Sequence, residues 1–205
     1  MSIAIANDPL LVAPAASRNR DAIRDVLRNV LPSQGTILEF GSGSGEHAVH
    51  FAESMPHLTF QPSDVGDQEL QSIEARRILC QLPNIKPPMR ADILDDHLPV
   101  DQADAVVAIN VVHITPWETT LALLAHAGQL LPRGGPLYLY GPYHRNEAAT
   151  CESNLEFDRW LKAKDPCCGL RHLDDVTTHA QDNGLTGPHV IEMPANNLSV
   201  VYTKA

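Results

Sequence analysis

The stretch that most restricts what this chain can fold into runs over residues 36–47. A short apolar run ends in glycines at 41, 43 and 45, and a helix-like pattern begins at once. Glycines placed there let the backbone turn tightly and let a ligand approach where a Cβ would clash. Their spacing limits the ligand. A dinucleotide loop of the form G-x-G-x-x-G would carry its third glycine at 46, but Glu46 stands there. A carboxylate in the first helical turn suits the positive end of the helix dipole and competes with any pyrophosphate. The loop is expected to receive a nucleoside ligand without phosphates.

Strand-like and helix-like segments alternate along the rest of the 205 residues, which predicts one α/β domain with a mostly parallel sheet. Ile23, Val26, Leu27 and Val30 form one stripe of a helix over 18–31 that stops at Pro32. Ala48, Phe51, Ala52 and Met55 mark the helix after the glycine loop. Strands are expected at 58–61, leading to Asp64, and at 85–93, with a helix over 67–82 between them. Residues 103–109 are an almost unbroken apolar run, the pattern of a strand buried on both faces. Thr115, Pro116 and Glu118 spell a capping box for a helix reaching Leu131, and Ser153 with Glu156 spells a second. A fifth strand is expected at 136–140, a helix at 173–182, and two closing strands at 188–193 and 198–203. Residues 1–16 read as an N-terminal extension, and the polar stretch 141–153 is long enough for a lid.

Charge narrows the partners. The formal net charge is −10 and no basic run occurs, which disfavours tRNA, rRNA or DNA as substrate and favours a small molecule. No segment approaches the ~20 apolar residues of a membrane span, and the apolar N-terminus lacks the basic start of a signal peptide. Cytoplasmic residence follows as the expectation. Cys80, Cys151, Cys167 and Cys168 fit no zinc pattern and read as free thiols. His47 and His50 are spaced to share a helix face, but no further ligand completes a metal set, so no metal is expected.

The run Glu39-x-Gly41-x-Gly43-x-Gly45 resembles the cofactor loop of class I S-adenosylmethionine-dependent methyltransferases. That resemblance implies a Rossmann-like, seven-stranded, mostly parallel sheet with helices on both faces and an antiparallel last strand. It also implies S-adenosyl-L-methionine as cofactor. In an open parallel sheet, ligands sit beyond the carboxyl ends of the strands. Glu39, Gly41, Ser42, Gly43 and Gly45 would then border the methionine portion and ribose. Asp64 is placed to accept from ribose hydroxyls, Asp92 from the adenine amino group, Ile93 against the ring, and Asn110 towards the methionine end. Asp64 as a helix cap and Asp92 as a turn residue are the plainer alternatives.

Several strings are similar to one narrower family, the small bacterial and animal methyltransferase-like proteins of the domain-of-unknown-function 938 (methyltransferase-like 26) family. They are Ala15-Ala-Ser-Arg-Asn19, Gly45-Glu-His-Ala-Val-His-Phe51, Gln61-Pro-Ser-Asp64, Val112-His-Ile-Thr-Pro-Trp-Glu118, Leu139-Tyr-Gly-Pro-Tyr143, Ser153-Asn-Leu-Glu-Phe-Asp158 and Met193-Pro-Ala-Asn-Asn-Leu198. Two departures stand out: the loop reads Phe40-Gly-Ser-Gly-Ser-Gly45, and Ala149-Thr150 replaces a usual His-Thr pair.

Methyl transfer from a sulfonium needs alignment and water exclusion more than strong acid–base help. His113, three residues beyond Asn110, has an ordinary pKa suited to a general base at neutral pH. Orienting the loop or packing beneath Trp117 is its alternative role. Trp117, Tyr140 and Tyr143 are candidates for an aromatic substrate wall, with core packing as the alternative for Trp117. Asn196 and Asn197 can meet a polar substrate group, or simply form a turn. Arg18 and Asn19 are placed to close over the cofactor or to hold a substrate carboxylate, with surface ion pairing the alternative for Arg18. A small-molecule methyltransferase acting on oxygen, nitrogen or sulfur is the leading expectation. A non-catalytic S-adenosylmethionine-binding partner and a nicotinamide-dependent oxidoreductase are the competing ones.

Overall fold

The computed structural model describes residues 9–205. Residues 1–8, and with them half of the expected N-terminal extension, lie outside the described part. Along the chain come α1 (Pro14–Val30), β1 (Gly35–Phe40), α2 (Glu46–Ser54), β2 (Leu58–Asp64), α3 (Asp67–Cys80) and β3 (Met89–Arg90). Then follow β4 (Ala105–Ile109), α4 (Val111–Ile114), α5 (Trp117–Leu130), β5 (Pro136–Gly141) and β6 (Tyr143–His144). The chain closes with α6 (Glu152–Lys164), β7 (Arg171–His172), α7 (Leu173–Asp182), β8 (Leu185–Met193) and β9 (Asn197–Lys204).

Seven strands form one sheet in the order β3-β2-β1-β4-β5-β9-β8. The first five run parallel, and β9 pairs antiparallel with both β5 and β8. The central strands show the period of two that a doubly covered sheet requires. Leu38, Phe40, Val106 and Ala108 pack with Leu123, Leu124 and Ala127 of α5 and Val176 and Ala180 of α7. Ile37, Val107 and Ile109 turn to the other face, against Ile23 and Leu27 of α1 and Phe51 and Ala52 of α2. This is the Rossmann-like methyltransferase architecture.

Four local expectations differ. The third strand is only two residues, not 85–93, because Pro87 and Pro88 have no N–H to give a ladder; Ile85 alone makes an isolated bridge to Phe60. Thr115 does not cap α5. Its hydroxyl donates to the Val111 carbonyl at 2.8 Å, closing the short helix α4, and α5 starts after Pro116 without a side-chain cap. Ser153 lies inside α6, whose N-cap is Cys151, so the second capping box is absent too. The stretch 141–153 is not a free lid throughout. Tyr143 and His144 form a strand pair with Arg171 and His172, while residues 146–149 are exposed.

Among the described residues no helix is long and apolar enough to cross a membrane, and no group of three His, Cys, Asp or Glu is placed to hold a metal ion. His47 bonds Asn19, and His50 lies 3.0 Å from Asp21. All four cysteines are free.

Candidate functional site

The carboxyl ends of β1, β2 and β4 open into a crevice of about 440 Å³. Its floor is the glycine loop. Gly43 has φ +55° and open space where a Cβ would stand, and its N–H donates to the Asp64 carboxylate at 2.8 Å. The second Asp64 oxygen accepts from the Val65 N–H, also at 2.8 Å. Gly41, Gly43, Asp64, Asp92 and Ile93 line this crevice, where the sequence put the cofactor. Sequence reading passed over Glu69 of α3 and Thr119 of α5, which line it as well. Neither had a motif to mark it.

Glu39, Ser42 and Gly45 build the loop from below rather than facing the crevice. The Ser42 hydroxyl donates to the Glu39 carboxylate at 2.7 Å, and the Ser63 hydroxyl donates to the Glu39 carbonyl at 2.8 Å. Burial pushes the Glu39 carboxyl up to about 7, the Ser42 bond opposing it. Gly45 is needed for packing: with φ +82°, a Cβ there would fall 3.0 Å from the Ile73 Cα. Glu46 serves a different purpose from the one its helix position suggests. Its carboxylate accepts from the Ala13 N–H at 2.8 Å and the Ser44 hydroxyl at 2.9 Å, tying the chain before α1 to the loop. Burial works against its charge, yet those two donors and nearby Arg76 hold its carboxyl below the usual range.

A second cavity, of about 710 Å³, lies beside the first between α1, α6 and the ends of β4 and β5. Arg18, Asn19, Asn110, Tyr140 and Asn197 line it. Arg18 and Asn19 therefore belong to this cavity and not to the crevice. Asn110, with φ +62°, lines this cavity while its neighbours Ile109 and Val111 line the crevice, and Ile114 lines both. The Asn19 amide links two side chains. Its oxygen is 2.9 Å from His47 Nε2, and it also bonds the Tyr140 hydroxyl, which burial keeps above its ordinary pKa. Burial lowers His47 to about 4, so it is neutral, and with an oxygen as partner its Nε2 carries the proton. Phe157 and Trp160 of α6 add an aromatic wall that sequence reading missed. Their i, i+3 spacing on one helix was the available signal.

The remaining candidates lie elsewhere. His113 does not reach either cavity. Its ring is fully buried against Gly141 and edge-on to Tyr143 at 4.8 Å, and neither nitrogen has a partner. Burial drives its pKa to about 3, which leaves a weak, enclosed base. That enclosure goes against the general-base expectation and fits the alternative of a ring that orients the loop. Trp117 packs beside the Arg171 guanidinium and edge-on to His179, away from both spaces. Tyr143 and Asn196 face a separate small hollow of about 90 Å³ on the far side of Asn154.

Residues 11–204 match the family model described as Protein of unknown function (DUF938). The chain belongs to this family. The DUF938 chain is also similar to solved methyltransferase structures. One is an O-methyltransferase family protein from Burkholderia thailandensis, 18% identical with a TM-score of 0.73 over 92% of this chain. A second is an O-methyltransferase family 2 protein from Planctomyces limnophilus in complex with apigenin, 16% identical, TM-score 0.78 over 93%. A third is CalO1, a methyltransferase in calicheamicin biosynthesis, in its S-adenosylhomocysteine-bound form, 18% identical, TM-score 0.72 over 90%. At these identities the likeness establishes the fold. The DUF938 chain spans only 54–60% of the length of these three proteins.

Proposed function

We propose that this DUF938 protein is an S-adenosylmethionine-dependent methyltransferase acting on a small molecule. The observation that supports the reading is the pair of adjoining cavities that share Ile114 in their lining, just beyond the carboxyl end of β4. One holds a cofactor and the other an acceptor, and they meet where a group would pass between them.

The crevice suits this cofactor chemically. Asp64, Glu69 and Asp92 line it, and among the described residues no Lys, Arg or His does. Such a lining attracts a sulfonium and an ammonium group and repels the diphosphate of a nicotinamide dinucleotide. The gap above Gly43 admits a ligand close to the backbone. Gly41 and Gly43 would border the methionine portion and ribose, Asp64 would accept from ribose hydroxyls, and Asp92 with Ile93 would hold the adenine. When bound, S-adenosylmethionine supplies a methyl carbon to the acceptor's lone pair; the S–C electron pair stays on sulfur, and the acceptor's proton is released.

The protein's own contribution is placement. Asn110 adds a side-chain amide to the lining of the acceptor cavity, and no bond from it to another described group competes there. Tyr140 brings a phenolic hydroxyl, held by Asn19, to the same lining. Val65, Leu94 and Ile114 put exposed apolar side chains around the crevice, where they displace water from the reacting groups. No buried base is required, and His113 supplies none.

Calorimetry tests the reading directly. S-adenosylmethionine and S-adenosylhomocysteine should both release heat on binding, and NAD should not. Transfer of an isotopic methyl group to members of a metabolite panel should follow. Cofactor binding without turnover on a broad panel would leave a non-catalytic partner as the better reading. Silence towards both sulfur compounds would end the cofactor assignment.

A further inference from the structure

We propose that the acceptor is a planar molecule carrying a carboxylate, with the anion on Arg18 and the flat body against Phe157 and Trp160. This deepens the methyltransferase reading and rests on it. The charge of the second cavity is the opposite of what the chain's composition suggests. The net charge is −10, yet among the described residues no Asp or Glu lines this cavity. Its one ionised lining residue is Arg18, on the first turns of α1.

Arg18 is exposed and has no hydrogen-bond or ion-pair partner among the described residues. Further along the same helix Arg24 pairs with Asp21 and Asp25 and Arg28 reaches the Ser54 carbonyl, while Arg20, whose Nε is buried without a partner among the described residues, does not line the cavity. A guanidinium offers a planar fork of donors that matches a carboxylate in two parallel bonds. Left unpaired at the rim of an acid-free cavity, it fits a ligand anion better than a structural one.

The aromatic part of the same lining defines the body of the ligand. Phe157 and Trp160 stack with their centroids 5.9 Å apart and an interplanar angle of 19°, which gives a flat apolar face. Trp160 is 51% exposed, so the part of the ring not covered by Phe157 and Lys164 is open at the cavity. Lys164 sits 3.7 Å from the centre of the Trp160 ring and adds a second positive charge on this side. Asn110, Tyr140 and Asn197 add neutral polar groups to the same lining, suited to an uncharged polar group of the ligand. An aromatic or conjugated acid with a hydroxyl or amine at its far end meets all three features. The cavity lies within the range of ~300–1,000 Å³ usual for small-ligand sites.

The test compares matched pairs: 4-hydroxybenzoate, 4-hydroxycinnamate and indole-3-acetate, each against its neutral carboxamide. They are titrated by calorimetry and ligand-observed NMR into protein saturated with S-adenosylhomocysteine. At least one acid should bind tenfold or more tightly than its amide, with the preference shrinking as salt rises. Arg18→Gln should bring acid and amide within twofold of each other while S-adenosylhomocysteine binds as before. Phe157→Leu should weaken the acid and its amide by the same factor. Equal binding of acids and amides would overturn the proposal, as would an Arg18→Gln loss shared equally by both. No acid bound to protein that still takes S-adenosylhomocysteine would overturn it and leave the methyltransferase reading standing. Failure to take S-adenosylhomocysteine at all would remove both.

Discussion

At the scale of single residues, two glycines two positions apart do different work, and substitution separates them. Gly43→Ala forces a left-handed backbone on a residue with a Cβ, a strain of about 1–2 kcal/mol, and points the new methyl into the open space above the loop. We expect S-adenosylhomocysteine affinity to fall at least tenfold, with melting lowered by only a few degrees. Gly45→Ala meets the Ile73 backbone instead, so the larger loss should appear in melting temperature, with binding following stability. Paired calorimetry and thermal scans decide between these patterns. The sequence revealed that glycines were needed at 41, 43 and 45, because strand–glycine–helix is a local pattern. It did not reveal which glycine faces open space and which faces α3, since that depends on a helix 28 residues further on. The enclosure of His113 was hidden for the same reason. Its distance from Asn110 along the chain said nothing of the Gly141 backbone that covers it.

Among the elements, α1 matters beyond its packing, because it carries Arg18 and Asn19 to the second cavity. Its start is fixed from outside: Glu46 accepts the Ala13 N–H, Ser72 accepts the Leu11 N–H at 2.9 Å, and Arg76 donates to the Leu11 carbonyl. Glu46→Ala should release this anchor. Amide exchange at Leu11 and Ala13 should quicken, while the protected core of β4 is unchanged, and stability should fall by about 1–3 kcal/mol for the lost charge-assisted bonds. Unchanged exchange before α1 would show that Ser72 and Arg76 suffice. The helices themselves were legible from their apolar stripes, and β4 from its unbroken run. The caps were not, because Thr115 and Ser153 have spacings that suit a capping box while their hydroxyls lie outside the cap position. The short helix α4 was missed because four residues carry too little periodicity to register.

Taken as a whole, the molecule buries ionisable groups whose proton demands oppose one another. His113 has a folded pKa of about 3, below the ~6.5 of a free imidazole. Its contribution is complete above pH ~6.5 and drains away as pH falls towards 3, by roughly 1.4 kcal/mol per unit. Glu39 behaves in reverse. Its folded pKa of about 7 exceeds the unfolded 4.5, so stability is highest below 4.5 and declines as pH rises through 7. Glu39→Gln removes that decline. Relative to the parent, the variant should gain roughly 2–3 kcal/mol between pH 5 and pH 8, read from denaturant unfolding at both values. A constant difference would mean that Glu39 titrates normally. The alternation of strands and helices pointed to an α/β sheet from sequence, and the resemblance implied its seven strands and antiparallel last strand. The sorting of charge did not emerge there, because Asp64, Glu69 and Asp92 belong to three separate segments that only the fold assembles.

On the proposed methyltransferase reading, that sorting has a bearing on turnover. Spent cofactor has one positive charge fewer than fresh, so three carboxylates around the crevice should discriminate between them in favour of the fresh form. Product inhibition should consequently be mild at low ionic strength and grow as added salt screens the attraction. Competition titrations of the two compounds across a salt series would reveal the ratio drifting towards parity, and a ratio indifferent to salt would refute it.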